Sequence, residues 1–276
     1  MSSKAKDRYE SDPDDGLRRD IVGDWAEEKH ARLRRYVDIT HATRRKFSRN
    51  SPAYIDLYCA TGRARIRETA RVVDGSPLVA SLEAKKNVPF GQVHIGDLDT
   101  QNLAACKERL GVAGVAGVKV YEGKAEQTAA DVVRSLNPYG LHLAFLDPYS
   151  LDALPFAVVK TLAGVKRMDF IIHINEMDFQ RNVIGKREEH KLDTFAPGWR
   201  DAIDTNQRSD IMKQSFLSHY KQLLTQLGYY VSDNIERVTG SHNQPLYWLL
   251  LASRDKLADK FWSQISNVDP QARMFQ

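Results

Sequence analysis

Cysteine is scarce in this 276-residue chain, where Cys59 and Cys106 are the only two. Two thiols cannot build a disulfide framework and are too few for a structural zinc site. No run approaches the ~18 consecutive apolar residues of a membrane helix, which excludes a helical spanning protein. The opening stretch, MSSKAKDRYESDPDDG, lacks the apolar core of a secretory signal, so the expected location is cytoplasmic. The phosphate-loop signature, an obvious metal cluster and internal repeats are missing as well.

What is present is ordinary globular material, 42% hydrophobic and 28% charged, enough for a core and too apolar for disorder. The charge is unevenly spread. Residues 29–49 carry eight basic side chains (Lys29, Arg32, Arg34, Arg35, Arg44, Arg45, Lys46, Arg49) against one acid, Asp38, in a chain whose net charge is +4. Such a segment is the footprint of a polyanion partner, because Lys and Arg neutralise phosphates and release counterions. It is equally the composition of a solvated helix face rich in arginine.

Residues 1–16 read as a disordered, frayed tail. From 20 to 49 the pattern is helical, with Trp25, Leu33, Tyr36, Val37 and Thr40 on one stripe, and Asn50-Ser51-Pro52 ends it. We therefore divide the chain into a basic helical segment at 17–50 and one larger domain at 51–276. In that domain strands are expected at 54–58, 92–96, 119–121, 141–146, 169–174, 229–234 and 245–252. Helices are expected at 77–86, 100–110, 126–136, 154–163, 211–227 and 256–266. Single helices between strands mean βαβ units and a parallel sheet. The last two strands lack a helix between them, only the loop around Gly240–Asn243, which predicts a C-terminal antiparallel hairpin. The charged stretch at about 176–210 reads as an insertion after the fifth strand.

Ligands of an open parallel sheet sit beyond the carboxyl ends of its strands, near the reversal of strand order. The first strand runs into Asp56-Leu57-Tyr58-Cys59-Ala60-Thr61-Gly62, an acid and then small residues that let backbone approach a ligand. A basic loop follows, Arg63-Ala64-Arg65-Ile66-Arg67, which suits phosphates. The second strand ends in Asp97-Leu98-Asp99, where an acid either receives ribose hydroxyls or caps the next helix. Gly62 and Asp97 are too far apart for the ~20-residue dinucleotide spacing, which argues against an NAD site and leaves an adenosine-type cofactor. The third is followed by Gly123-Lys124-Ala125-Glu126, either an adenine border or a capped turn. The fourth ends in Asp147-Pro148-Tyr149. Aspartate there accepts hydrogen bonds, proline fixes the turn and tyrosine offers a stacking face. That set suits an exocyclic amino group, and it also fits an Asp-Pro turn with a core tyrosine. His173, in an apolar run, reads as a strand histidine.

These residues together resemble the class I, S-adenosylmethionine-dependent methyltransferases, and more narrowly the three-Cys-motif partner proteins. The likeness rests on residues 54–62 leading through the arginine loop to Asp74-Gly75-Ser76-Pro77-Leu78, on Phe145–Tyr149, on Trp199 and on Leu246–Leu250. It spans roughly 29–266. The resemblance implies a Rossmann-like α/β class I methyltransferase fold, a mostly parallel seven-stranded sheet with a C-terminal antiparallel hairpin, plus the N-terminal basic helix. It implies S-adenosylmethionine as cofactor, with Asp56, Cys59, Thr61 and Gly62 at its methionine end, Asp97 on the ribose, and Lys124 and Ala125 beside the adenine. Asp147, Pro148 and Tyr149 would be the catalytic residues facing a nucleic acid or nucleotide-like acceptor, and a protein bearing three cysteines would be a partner. Arg34, Arg35, Arg44, Arg45, Lys46, Arg63, Arg65 and Arg67 are the expected phosphate contacts. The chain departs from the pattern at Ala60, where relatives carry glycine, at Lys124, where an acid is usual, and in having one proline after Asp147 instead of two. These departures keep a second expectation open, a non-catalytic nucleic-acid-binding scaffold on the same fold. A nucleotide-processing enzyme is a third, resting on the arginine loop alone.

Overall fold

The computed structural model describes residues 8–185, 187–239 and 245–266. The chain starts with β1 (Tyr9–Ser11) and β2 (Arg18–Val22), then α1 (Trp25–Ile39) and α2 (His41–Lys46). Next come β3 (Ala53–Asp56), β4 (Arg63–Ile66), β5 (Val72–Asp74), α3 (Ser76–Lys85), β6 (Gln92–Asp97), α4 (Thr100–Val112), β7 (Val118–Glu122) and α5 (Ala125–Ser135). They are followed by β8 (His142–Leu146), α6 (Phe156–Leu162), β9 (Met168–Asn175), α7 (Glu176–Phe179), α8 (Lys191–Phe195), α9 (Trp199–Ala202) and α10 (Ser209–Gln226). The described residues end with β10 (Tyr230–Val231), β11 (Glu236–Thr239), β12 (Pro245–Ser253) and α11 (Lys256–Ser266).

The main sheet has the order β10-β12-β9-β8-β3-β6-β7, and β11 also pairs with β12. The pairings among β3, β6, β7, β8 and β9 are parallel, while β12 runs antiparallel to β9 and to both β10 and β11. β10 and β11 pair with successive stretches of β12, so they are two pieces of one edge strand. This is a doubly wound, Rossmann-like α/β arrangement, with its reversal of strand order between β3 and β8. The loop of the C-terminal hairpin, 240–244, lies outside the described residues.

Helices cover both faces of the sheet, which is why the central strands are apolar throughout and not alternating. Leu143 and Phe145 enter the core shared with α1, α3, α4 and α11. Their neighbours Ala144 and Leu146 enter the opposite core, against α5, α6 and α10. The stretch read as an insertion is part of that second core, since Phe179, Phe195 and Trp199 are buried beside Phe216 and Trp248.

The amino-terminal third differs from the sequence reading. Residues 8–16 are no frayed tail, because β1 pairs antiparallel with β2. Asp12 is fully buried there, accepting from Arg19 Nη1 at 2.9 Å and Arg63 Nη1 at 3.1 Å. Glu10 accepts from Arg19 Nε (2.6 Å) and Arg65 Nε (2.7 Å), and these bonds, Arg65's above all, hold its pKa down at about 2. Residues 1–7 of the expected tail lie outside the described residues. The arginine loop is strand β4, and β1-β2-β4-β5 form a second sheet. β2 pairs in parallel with β4, so the boundary expected at residue 50 crosses a continuous sheet. The single helix expected at 20–49 is β2, α1 and α2, broken at Thr40, whose hydroxyl donates to the Tyr36 carbonyl (2.6 Å). Among the described residues no helix is long and apolar enough to cross a membrane.

Candidate active site

The carboxyl ends of β3, β6, β7, β8 and β9 open into one cleft of about 1290 Å³. Cys59, Gly62, Asp97, Lys124, Ala125, Asp147, Pro148 and Tyr149 all line it. Residues spread over about ninety positions of sequence therefore converge. Among the described residues no His, Cys, Asp and Glu cluster could hold a metal.

The half beneath β3 and β6 is built from backbone. Cys59 donates its N–H to the Gly96 carbonyl (3.0 Å), joining the two strand ends. Ala60 sits in the left-handed region at φ 49°, a conformation that glycine adopts more easily. Gly62 is at φ 76°, and a Cβ there would lie 3.1 Å from the Cys106 Cα. Gly75 donates to the Gly62 carbonyl (2.8 Å), so the loop is clamped against the start of α3.

Asp97 accepts the N–H groups of Ala60 (3.0 Å) and Asp99 (2.8 Å), and burial raises its pKa. Asp99 is the cap of α4, accepting from Gln101 N (2.9 Å), and it pairs with Arg18 at 2.7 Å. Asp99 thus takes the capping role that the sequence left open, and Asp97 lines the cleft. Leu98 between them is 61% exposed, an apolar surface at the cleft. Lys124 is exposed and occupies the N-cap position of α5, while Ala125 is buried.

Two residues expected at the methionine end do not line the cleft. Asp56 is fully buried, taking hydrogen bonds from Ser76 Oγ (2.7 Å), Tyr54 Oη (3.0 Å) and Tyr58 N (3.1 Å), and burial pushes its pKa up to about 7. Thr61 is also buried, its Oγ 2.8 Å from Asp20 Oδ2. Both residues brace the loop from behind.

The other half surrounds Asp147. Its carboxylate pairs with the Lys29 ammonium, and the His173 Nδ1 lies 3.3 Å away. Burial works to raise the pKa of Asp147, but the charge of Lys29, with His173, outweighs it and the pKa is lowered. His173 itself is pushed down to about 4 and His30 to about 3, both chiefly by burial, so at neutral pH both rings are uncharged. Pro148 is buried. Tyr149 is 67% exposed, and its carbonyl accepts from Asn175 Nδ2 (3.3 Å). His190 and Thr194, from the stretch after β9, close this side.

The expected phosphate contacts split. Arg44 is buried, with Nε on the Val88 carbonyl (2.8 Å) and Nη1 on the Val37 carbonyl (3.0 Å), and burial lowers its pKa to about 10. It cannot reach a phosphate from there. Arg63 and Arg65 are committed to the acids of the first hairpin. Arg34, Arg35, Arg45, Lys46 and Arg67 are exposed, Arg34 lying 3.8 Å from Glu83. The cleft is lined by six carboxylates (Asp20, Asp97, Asp99, Glu126, Asp147, Asp152) and four cations (Arg8, Lys29, Arg63, Lys124), so it is no anion channel. Lys29, His30, Arg8 and Asp20 were not singled out as site residues from sequence. The signal for Lys29 was there, since it is a charge on the apolar stripe of α1.

The chain is similar in fold to LPL1258 from Legionella pneumophila, family DUF519, with a TM-score of 0.55, 10% identity, and coverage of 88% of this chain and 92% of that one. It is also similar to an O-methyltransferase from Bacillus cereus solved with SAH, with a TM-score of 0.47, 10% identity, and coverage of 82% and 80%. A third is the magnesium protoporphyrin IX methyltransferase from Synechocystis, with a TM-score of 0.43, 14% identity, and coverage of 85% and 89%. At such identities the likeness is one of fold. No family model and no curated protein matches the chain.

Proposed function

We propose that this chain is an S-adenosylmethionine-dependent methyltransferase, related to the three-Cys-motif partner proteins, acting on a nucleic acid or nucleotide-like acceptor. One observation carries the reading: the loop at 59–62, Asp97 and Asp147-Pro148-Tyr149 share a single cleft. Its volume, about 1290 Å³, exceeds the ~300–1,000 Å³ of a typical small-molecule site, which leaves room for a cofactor and an acceptor together.

The residues present fit the cofactor. The glycine pair Gly62 and Gly75 keeps the loop low, where added Cβ atoms would collide with Cys106 and with Gly62 itself. Asp97 faces the cleft with lone pairs to spare for ribose hydroxyls. Leu98 and Ala125 offer apolar surface to a base, and Lys124 stands at its edge. When bound, the cofactor supplies a methyl group on a sulfonium, the electrophile of the reaction. Asp147 accepts a hydrogen bond from the acceptor's N–H or O–H and orients its lone pair, and Tyr149 gives a planar acceptor a face to stack on. Such catalysis comes from orientation and a preorganised acceptor, not from a strong base.

Calorimetric titration with S-adenosylmethionine tests the first half. Absence of both heat and a thermal shift at millimolar cofactor would falsify it. Transfer of a tritiated methyl group to total RNA tests the second. The surplus of carboxylates in the cleft, with exposed basic residues such as Arg35, Arg45 and Lys46 outside it, favours one other reading, a non-catalytic nucleic-acid-binding scaffold. That reading predicts RNA binding indifferent to Asp147→Ala. Methyl transfer that this substitution abolishes, with cofactor affinity intact, rules it out.

A further inference from the structure

The first hairpin forms a wall of the cleft. Tyr9 and Asp20 are directly paired across β1 and β2, and both line it, as do Arg8 and Val22. The wall is fastened on three sides. Arg18 reaches Asp99, Tyr9 Oη accepts from Asn102 Nδ2 (3.3 Å), and Arg109 Nη1 donates to the carbonyls of Arg18 (2.9 Å) and Thr61 (2.8 Å). The hairpin is thereby held over the 57–62 loop and the end of β6.

Two charges on this wall stand out. Asp20 is 7% exposed, and its hydrogen bonds from Thr61 Oγ1 (2.8 Å) and Thr61 N (3.3 Å) both go to Oδ2, so Oδ1 has lone pairs to spare beside the cleft. Arg8 is exposed, and among the described residues no carboxylate pairs with it; burial raises the pKa of Asp20, and the hydrogen bonds of Thr61 and the charge of Arg8 work against that rise. The other cations of the cleft walls near Gly62 are spent, Arg63 on Asp12 and Lys29 on Asp147. An unpaired guanidinium beside a carboxylate with free lone pairs is the complement of an α-amino acid zwitterion, whose carboxylate takes the fork of an arginine and whose ammonium needs an acceptor.

We propose that Arg8 and Asp20 form the grip on the amino-acid end of the cofactor, Arg8 on its carboxylate and Asp20 on its ammonium. This deepens the methyltransferase reading and rests on it. It also accounts for Asp56, the acid expected there, being sealed behind Ser76 and Tyr54. The hairpin therefore contributes to the cofactor site itself and is more than a cover.

Calorimetry on the full chain tests this with two ligands, S-adenosylhomocysteine and 5′-methylthioadenosine, which keeps the thioether nucleoside but lacks the amino-acid group. The wild type should prefer the first by at least about tenfold, the worth of one hydrogen bond to a charged group. Arg8→Met should weaken S-adenosylhomocysteine about tenfold and leave methylthioadenosine unchanged. Asp20→Asn, which can still accept from Thr61, should do the same. A damaged fold would weaken both ligands, so unchanged methylthioadenosine binding is the control. If both variants keep the wild-type preference, or lose both ligands in parallel, the grip is wrong while the methyltransferase reading survives. If the wild type binds neither ligand, both fall.

Discussion

Lys29 and Asp147 lie 118 residues apart in the chain and form one ion pair on the floor of the cleft, their side chains 7% and 16% exposed. Removing one member strands the other charge in a buried site. Lys29→Met should therefore destabilise the protein by about 3 kcal/mol in urea denaturation. The pKa of Asp147, followed by carbon NMR, should rise, since Lys29 is what holds it down. Lys29→Met combined with Asp147→Asn should recover most of the loss. A Lys29→Met protein of wild-type stability and Asp147 titration would show the pair to be incidental.

His173 makes the fold sensitive to acid. Its imidazole is held near pKa 4 in the folded chain, against about 6.5 when unfolded. Between those values the unfolded chain binds more protons, so stability falls as the pH drops from about 6.5 toward 4. Wild type should lose about 2 kcal/mol more than His173→Gln between pH 7 and pH 5. Equal losses in the two proteins would mean that the fold leaves the pKa of His173 at its unfolded value.

Nucleic-acid binding, if present, should depend on only part of the basic surface. Alanine at Arg35, Arg45 and Lys46 should lower RNA affinity and reduce the salt slope by about 0.7 for each single-strand phosphate no longer neutralised. Alanine at Arg63 and Arg65 should leave the slope alone and lower the melting temperature, because these side chains hold Asp12 and Glu10. A slope that responds to Arg63 and Arg65 would reverse this assignment.

Gly62→Ala asks for a Cβ in the left-handed region, 3.1 Å from the Cys106 Cα. The expected result is a loss of about 1–3 kcal/mol and weaker cofactor binding, since the loop must rise. A variant with unchanged melting temperature and cofactor affinity would show that the close approach is relaxed in solution.

Most of the central sheet was legible, because each strand was a short apolar run ending in an acid or a small residue, and single helices separated the runs. The convergence of Cys59–Gly62, Asp97 and Asp147 follows from that topology alone. What was not legible depended on pairing between distant charges. The strand made by Arg63–Ile66 looked like a basic loop because its partners, Glu10 and Asp12, lie in a segment that read as a tail. Arg44 looked like a phosphate ligand because nothing local shows that the Val37 and Val88 carbonyls await it. Lys29 resembled a surface charge, yet it falls on the stripe of Trp25, Leu33, Tyr36 and Val37. A lone charge on a buried face demands a counter-charge, and Asp147 was the available one. Asp56 misled for the converse reason, since an acid at a strand end can turn inward when a serine such as Ser76 begins the next helix behind it.

Cys59 and Cys106 are both free and buried, the first on the loop that lines the cleft and the second directly behind Gly62. Burial and their mutual contact raise the Cys59 thiol well above its ordinary range, so in the closed fold it is unreactive. Any alkylation by a maleimide must then wait for that loop to lift. Labelling kinetics on the unaltered protein would time this breathing, and a small molecule seated in the cleft would announce itself by slowing the modification, whatever its chemistry.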